Sequence, residues 1–514
     1  MSTLTIETPS QAGPTSDVSA ERIDTPRAVH GSVADSMLRG ILALLSTQPL
    51  TWGTSLLAAA VMPRLLGAHA LGQYTMVLSV TGLAGTALCL GIPDFLLRRI
   101  AQQPQSLRRD IGLALAIQLA AATIGAVLML IASPWLESIV DLPLLYIGLV
   151  GMVAASAQFV LLAAYRGREK HVGYAWANAM QAAASTVVGV LVLAAGADVH
   201  VFAAVFVATS TLATLVGWRF VGFTPAMPAL DRAFVRDAIG FIRSGFPFLA
   251  WTLTLCLFGN ADRILLGFFV DATEIGWYSA AIRVVGATIF LPSIIVAPLF
   301  PVLSRSVNDP DTMRRTLAQT LRLALLVTVP LAAGIIGIGP TIPGVLGWPA
   351  DFANAAPLMM ILAVHIPVVA VDMMLASAIM ALGAESWWGR IGVMAAVFNI
   401  VLNLLGIPLA EHLTNNGAIA AAIITVLTEV FMFVGAVLLI PKHLLEMKTG
   451  WYAVRIALAG AATGIAAALV LPHGLLAAVA AGAVAYAVGV VALRAIHLDD
   501  VRYVTRRFGA RRFA

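Results

Sequence analysis

The sequence has few charged residues for its length. Only 11% of its 514 residues are Asp, Glu, Lys or Arg, 60% are hydrophobic, and the mean hydropathy is +0.92. A soluble chain carries roughly a quarter charged residues, so this composition excludes a soluble fold. The scarce charges leave whole windows of about 20 residues without any, which is typical of transmembrane helices.

Cysteines and catalytic motifs are also scarce. Cys89 and Cys256 lie inside apolar stretches without CxxC spacing, which predicts small core residues rather than a disulfide or a metal pair. The sequence has no Gly-x-x-x-x-Gly-Lys-Ser/Thr, His-Glu-x-x-His or Gly-x-Ser-x-Gly motif. We therefore expect no enzyme, no cofactor and no metal site.

The apolar stretches predict an all-α integral membrane protein with about 14 transmembrane helices. They lie roughly at 40–63, 72–92, 111–133, 144–165, 173–196, 199–218, 244–270, 276–303, 319–342, 354–383, 389–410, 417–440, 451–471 and 474–493. The loops on one side are short, which weighs against membrane-embedded glycosyltransferases and polymerases with large outer loops.

Basic residues alternate strictly between successive connecting segments. With the N-terminus inside, 28 of the 31 Lys and Arg residues fall in or beside segments on the cytoplasmic side. This bias explains the net charge of +5 without nucleic acid. It predicts a multi-pass protein of the bacterial inner membrane with both termini in the cytoplasm.

An internal repeat relates two parts of the chain. The first part contains Pro49, Trp52, Leu65-Leu66-Gly67 and Gly72-Gln73-Tyr74, and the second contains Pro247, Trp251, Leu265-Leu266-Gly267 and Gly276-Trp277-Tyr278. Six helices separate the copies, so both have the same orientation and are related by an axis along the membrane normal. The two prolines are either matched kinks or first-turn residues, and the second interpretation is at least as good for Pro247.

The second repeat copy resembles a known family. The stretch Asn260-Ala-Asp-Arg-Ile-Leu-Leu-Gly267, followed by Gly276-Trp-Tyr-Ser-Ala-Ala-Ile-Arg283, is similar to the bacterial polysaccharide transporters, which are Wzx-type flippases. They belong to the multidrug/oligosaccharidyl-lipid/polysaccharide exporter superfamily. The resemblance implies two six-helix lobes with two additional C-terminal helices. It also implies that an undecaprenyl-pyrophosphate-linked oligosaccharide crosses the inner membrane by alternating access, for exopolysaccharide or O-antigen synthesis.

Composition, the distribution of charge and the fold implied by this resemblance divide the chain into six segments. They are a disordered cytoplasmic tail at 1–36, an N-terminal lobe at 37–220, a cytoplasmic linker at 221–243, a C-terminal lobe at 244–440, two additional transmembrane helices at 441–494 and a basic cytoplasmic tail at 495–514.

Two arginines inside predicted helices are the candidate substrate-binding groups. Arg263 and Arg283 lie at similar depth, about 10 Å below the outer surface at 1.5 Å per residue, with Asp262 beside them. Their guanidinium groups match pyrophosphate oxygens. Asn260 and Gln48 complete the candidate set. The alternative is structural: Asp262 pairs with one arginine, or the arginines extend to the membrane surface.

Two further carboxylates are candidates for coupling transport to H⁺ or Na⁺. Asp372 and Glu429 are predicted to be lone acids in the tenth and twelfth helices, and His365 lies on the same helix face as Asp372. Alternatively, they are hydrogen-bonded packing groups, Asp372 lies near a helix end, and His365 is a satisfied core histidine. Asn399 and Asn403 are predicted to join helices.

Three functions remain open. The first is the flippase, for which we expect a lipid-linked oligosaccharide, the bilayer and a polymerase or export machinery as partners. The second is a multidrug or organic-cation antiporter of the same fold, against which the first helix carries Ser46, Thr47 and Gln48 but no acid. The third is a scaffold for polysaccharide synthesis that transports nothing.

Overall fold

The computed structural model describes residues 27–222, 224–228 and 231–495, and its regular elements over this part of the chain are all helical. The first helix runs over Arg27–Leu88 and is broken at Gly67, so we treat it as α1 (27–66) and α2 (68–88, continued by Ile92–Gln102). The rest of the N-terminal lobe is α3 Leu107–Leu136, α4 Leu142–Gly167, α5 His171–Ala194 and α6 Val199–Phe220.

The C-terminal lobe begins with α7 Arg232–Phe269 and α8 Ala272–Thr288, the latter continued by Phe290–Val296 and Leu299–Arg305. It goes on with α9 Pro310–Ile338, α10 (Ala355–Ala363 and His365–Ala381), α11 Glu385–Thr414 and α12 Gly417–Leu439. Two more helices follow, α13 Met447–Val470 and α14 Leu475–Ala492.

The predicted number of spans is confirmed. In the described part of the chain, 13 helices are long and apolar enough to cross a membrane. The first, Ser46–Leu88, contains both α1 and α2, because Gly67 at φ 75° and ψ 170° interrupts the helix between them. Glycine adopts this left-handed backbone without a Cβ clash. The chain is therefore a multi-pass membrane protein.

Some boundaries differ from the sequence-based expectation. A helix begins at Arg27, inside the segment 1–36 predicted to be disordered, and residues 1–26 lie outside the described ones. The helix α7 begins at Arg232, so it takes in much of the predicted linker 221–243. Pro247 consequently lies in the interior of α7, and its interpretation as a first-turn proline is wrong.

The two lobes meet where α2 and α8 cross. A Cβ on Gly72 would lie 1.6 Å from the carbonyl oxygen of Ala272, and one on Gly276 would lie 1.9 Å from that of Ala68. Only glycine allows the two backbones to approach this closely. The contact lies at the ends of the helices that carry few basic residues, which we call the arginine-poor end; the opposite end is the arginine-rich end.

At the same crossing, equivalent residues of the two repeat copies contact one another. Thr75 and Ser279 share a hydrogen bond of 3.0 Å between their hydroxyls, and Thr273 lies 3.5 Å from His69. Both pairs are 204 positions apart in the sequence, as are Gly72 and Gly276. Each residue therefore contacts its own repeat counterpart, which is the arrangement expected around a two-fold axis along the membrane normal.

The last two helices attach to the outside of the C-terminal lobe. A Cβ on Gly337 of α9 would lie 2.6 Å from the carbonyl oxygen of Gly464 in α13, so small residues again set the helix separation. Tyr486 of α14 donates a hydrogen bond of 2.7 Å to the carbonyl of Leu326.

Candidate functional site

A cavity of about 480 Å³ lies between the lobes, where α1 faces α8. The α1 wall and the α8 wall contribute mostly small, apolar and aromatic side chains around one guanidinium group. The lining residues are Trp52, Ser55, Ala58, Arg283, Gly286, Ala287, Ile289, Phe290 and Ser293. The rings of Trp52 and Phe290 touch across the cavity, with centroids 4.6 Å apart.

Arg283 is the one charged residue of this lining, and it has no acidic partner. Its Nη1 lies 3.1 Å from the sulfur of Met62, a weak acceptor. Among the residues that the structure describes, no carboxylate lies within ion-pair distance of Arg283. The positive charge therefore faces the cavity uncompensated by protein.

Arg263 lies close to Arg283 on the neighbouring helix. The two positive charges act on one another. Arg263 Nη1 donates to Asn260 Oδ1 at 3.1 Å and to the carbonyl of Gly259 at 3.4 Å, while its Nε is buried without a hydrogen-bond partner. Asn260 in turn donates to the carbonyl of Cys256 at 3.0 Å. Asn260 thus holds Arg263 rather than lining the cavity itself.

Gln48 lies on α1, one turn from Trp52 toward the arginine-rich end. Its Oε1 accepts a hydrogen bond of 3.4 Å from Thr51. Helical spacing places Gln48 on the same face as Trp52 and Ser55, so it extends the cavity wall without belonging to the lining.

Asp262 is buried and does not pair with either arginine. Its carboxylate accepts hydrogen bonds from Tyr278 of α8 at 2.7 Å, Asn403 of α11 at 2.8 Å and Thr425 of α12 at 2.8 Å. Asn403 also donates to the carbonyl of Asn399 at 3.0 Å. These contacts, which we call the Asp262 cluster, join four helices through neutral donors, so the structural alternative of an Asp262–arginine pair is wrong.

Asn399 extends this cluster along α12. Its Nδ2 donates to Thr428 at 3.3 Å, and its Oδ1 accepts from Asn403 at 3.1 Å. The predicted role of the two asparagines in joining helices is confirmed, since side-chain hydrogen bonds between helices hold them together where water is excluded.

Asp372 and Glu429 are not lone acids, as the sequence suggested. They lie against one another where α10 packs on α12, and Glu429 Oε1 is 3.3 Å from His365 Nε2. All three residues are buried. The contact between Asp372 and Glu429 could not be predicted from the sequence, because the two acids lie on different helices.

A second cavity, of about 440 Å³, lies at the arginine-rich end between α2, α3 and α7. It is lined by Phe95, Arg99, Arg109, Asp110, Leu113, Arg236, Asp237, Gly240, Phe241 and Ser244. Arg99 pairs with Asp110 at 2.7 Å, and Arg109 pairs with Asp237 at 2.5 Å. Arg236 also lies 3.7 Å from Asp237. Because all three arginines of this lining have a carboxylate partner, the cavity is less suited to an anion than the one at Arg283.

The arginine-poor end above the Arg283 cavity is covered. The loop before α10 lies on the ends of α1 and α2, where Asp351 accepts a hydrogen bond of 3.1 Å from the backbone N–H of Ala68. Trp348 donates to the carbonyl of Ala60 at 3.0 Å. Together with the Gly72–Gly276 crossing, these contacts close the space between the lobes at this end.

Several site residues were not anticipated. Ser55, Phe290 and Thr425 carried no signal beyond an ordinary residue type in an apolar stretch. Trp52 and Tyr278 belong to the two repeat copies, and that repeat was the available signal.

The chain is similar to proteins of known name. Residues 61–347, a little over half of the chain, match the family described as polysaccharide biosynthesis protein. The probable flippase AglR of Haloferax volcanii is 31% identical over 185 residues, which are 35% of this chain and 37% of AglR. The probable low-salt glycan biosynthesis flippase Agl15 of the same organism is 24% identical over 169 residues, 32% of this chain and 34% of Agl15. The chain thus spans about a third of the length of these relatives.

Two solved structures share the fold. The lipid II flippase MurJ in an inward closed conformation superimposes with a TM-score of 0.70 at 12% identity, over 89% of this chain and 99% of MurJ. An inward-facing MATE family multidrug resistance transporter of the MOP superfamily gives 0.56 at 14% identity, over 80% of this chain and 94% of the transporter. At these identities the likeness shows the fold alone. With the family match over more than half of its length, the chain belongs to the polysaccharide biosynthesis protein family.

Proposed function

We propose that the chain is a flippase for an undecaprenyl-pyrophosphate-linked oligosaccharide repeat unit in exopolysaccharide or O-antigen synthesis. The single observation that carries this proposal is the unpaired Arg283 guanidinium in the cavity between the lobes. A cationic group without a carboxylate partner in a low-dielectric surrounding is stabilised by an anionic ligand. A pyrophosphate linked to sugar and lipid offers that anion.

The orientation follows from the distribution of basic residues. Placing the arginine-rich end in the cytoplasm of the inner membrane puts both termini there as well. The closed arginine-poor end then faces outward. In alternating access, the headgroup enters from the cytoplasmic side, contacts Arg283 with Arg263 nearby, and leaves when the lobes part at the α2–α8 crossing.

A cation antiporter is the weaker candidate. The MATE transporter shares the fold, but the lining of the Arg283 cavity contains no carboxylate to hold a cation. An arginine in that place repels an organic cation by the same force that attracts a phosphate.

The test is reconstitution of the full chain in proteoliposomes with a fluorescent polyprenyl-pyrophosphate-linked saccharide as the probe. Quenching by membrane-impermeant dithionite reports how much probe has crossed. We expect Arg283→Ala to lower the apparent affinity about 10- to 100-fold, because a charge-assisted hydrogen bond contributes about 1.5–3 kcal/mol. Arg283→Lys keeps the charge but loses the fork, so it should fall between the two.

Arg390→Ala is the matched control, because Arg390 is exposed and stacks on Trp387 at 4.4 Å. It should move the probe like the wild type. Normal probe movement by Arg283→Ala would refute the proposed role of Arg283. Export of cationic dyes by the wild type, with no movement of the probe, would favour the antiporter.

A further inference from the structure

The buried cluster of His365, Asp372 and Glu429 is separate from the Arg283 cavity. Asp372 and His365 lie on α10, and Glu429 lies on α12. As whole residues, Asp372, His365 and Glu429 are 6%, 8% and 7% exposed. Burying ionisable groups inside a membrane protein is costly, so the cluster calls for a physical reason.

The hydrogen-bonding capacity of the cluster is incomplete. Neither carboxylate oxygen of Asp372 has a hydrogen-bond partner, and the Nδ1 of His365 has none either. Two ionised carboxylates side by side offer only acceptors, so neither can bond the other. One proton between Asp372 and Glu429 supplies the missing donor and removes the repulsion between them.

Apart from His365, whose Nε2 lies 3.3 Å from Glu429, no cation in the described part of the packed helices lies beside the pair. The charged groups of the helices that pack on α10 and α12 are exposed or engaged elsewhere, within the described part of the chain. On α9, Arg314 and Arg322 bind Glu446 and Arg314 also binds Asp311, while Arg315 is exposed.

The other charged groups near the pair are likewise exposed or bonded to other partners. Arg305, at the end of α8, is exposed, as are Glu385 and Arg390 on α11. Glu411 accepts from the N–H of Gly417 and Glu274 from that of Ala418. Asp262 and Arg263 of α7 and Arg283 of α8 have the contacts described above.

The helix α12 connects this cluster to the substrate cavity. Thr425 binds Asp262, Thr428 binds Asn399, and Glu429 follows one turn after Thr425. Asp262 is the chain neighbour of Arg263, which lies close to Arg283. A displacement of α12 therefore alters the surroundings of both the acids and the arginines, which is the physical requirement for coupling two sites.

We propose that Asp372, Glu429 and His365 form a proton-binding site, and that the chain exchanges a proton for its lipid-linked cargo. This inference rests on the proposed flippase function. The proton binds between the two carboxyl groups, with His365 holding Glu429 in place. It enters from the outer side and leaves to the cytoplasm as the cargo moves the opposite way.

The test uses the full chain in proteoliposomes with the same fluorescent polyprenyl-pyrophosphate-linked saccharide. With one proton exchanged per cargo, a difference of one pH unit should shift the steady-state ratio of the probe between leaflets by up to about tenfold. Asp372→Asn and Glu429→Gln resemble the protonated acids, so both variants should fold, which their elution in gel filtration checks. In both, the shift should disappear, while Glu385→Gln, an exposed acid, should keep it.

A second measurement does not depend on the cargo. Infrared difference spectra of the wild type between acidic and alkaline buffer should show a carboxylic-acid C=O band that titrates and is lost in Asp372→Asn or Glu429→Gln. Loss of this band with no shift in the variants supports the proton site. A titrating band that survives in both variants, a pH-driven shift that persists in both, or a shift that follows a sodium gradient instead would overturn it. If the wild type moves no probe at all, the flippase function fails and the infrared band alone decides the proton site.

Discussion

Asp262 and Asp372 are both buried acids, but their surroundings give them opposite chemistry. Asp262 receives hydrogen bonds from Tyr278, Asn403 and Thr425, so both of its carboxylate oxygens have donors. Asp372 receives none and lies against another acid. The first arrangement stabilises a negative charge and joins helices, while the second favours a proton. Residue type and depth alone do not distinguish them.

This contrast predicts different effects on stability. Asp262→Ala should lower the free energy of unfolding by about 1–3 kcal/mol for each donor that is left unpaired. Asp372 accepts no hydrogen bond, so Asp372→Asn removes none. This variant should therefore unfold at or above the wild-type temperature. Thermal unfolding in detergent, followed by loss of the folded peak in gel filtration, measures both. An Asp262→Ala protein as stable as the wild type would mean that the cluster contributes nothing to helix association.

At the scale of elements, glycines decide where the helices touch. The α2–α8 crossing depends on Gly72 and Gly276, whose missing side chains are replaced by backbone of the opposite helix. A helix pair in a membrane gains its stability from such close packing rather than from a hydrophobic force. The crossing therefore acts as the contact that keeps the arginine-poor end closed.

We expect Gly276→Ala to hold that end apart. The new Cβ would lie 1.9 Å from the carbonyl oxygen of Ala68, so the helices must separate. In a background of Cys89→Ser and Cys256→Ser, a cysteine in place of the buried Thr75 should become reactive toward a membrane-impermeant maleimide only with this substitution. Gly334→Ala is the control, since no atom lies within 4 Å of its added Cβ. Equal labelling with both substitutions would contradict the role given to Gly276.

At the scale of the whole molecule, transport by alternating access needs the two lobes to separate at the arginine-poor end. Thr75 and Ser279 lie on opposite lobes with their hydroxyls 3.0 Å apart. Two cysteines in these places would be near enough for a disulfide. Such a bond would keep the lobes together.

The double variant Thr75→Cys/Ser279→Cys, in the same cysteine-free background, should lose probe movement on oxidation and regain it with a reductant. The control pair is Ser185→Cys/Ser210→Cys, whose hydroxyls are 2.8 Å apart within the N-terminal lobe. Its oxidation should leave movement unchanged, because both positions lie in the same lobe and the bond does not join it to the other. Full activity of the oxidised inter-lobe pair would show that this end does not open during transport.

Much of the fold could be predicted from the sequence, because the insertion of a helix into the membrane depends on the composition of that segment alone. An apolar stretch of about 20 residues spans the bilayer whatever its neighbours are, and connecting arginines report its direction. The repeat of Gly72 and Tyr74 in Gly276 and Tyr278 indicated the parallel two-fold relation.

The sequence by itself determined the number of spans and the alternation of charge between successive connecting segments. Only the tertiary structure decided which partner each residue has: that Asp262 binds neutral donors, that Arg283 faces a cavity without an acid, and that Asp372 meets Glu429. The physical reason is that these helices are apolar on nearly every face. Their sequences therefore do not reveal which side turns toward the lipid and which toward a neighbouring helix, and packing alone fixes that rotation.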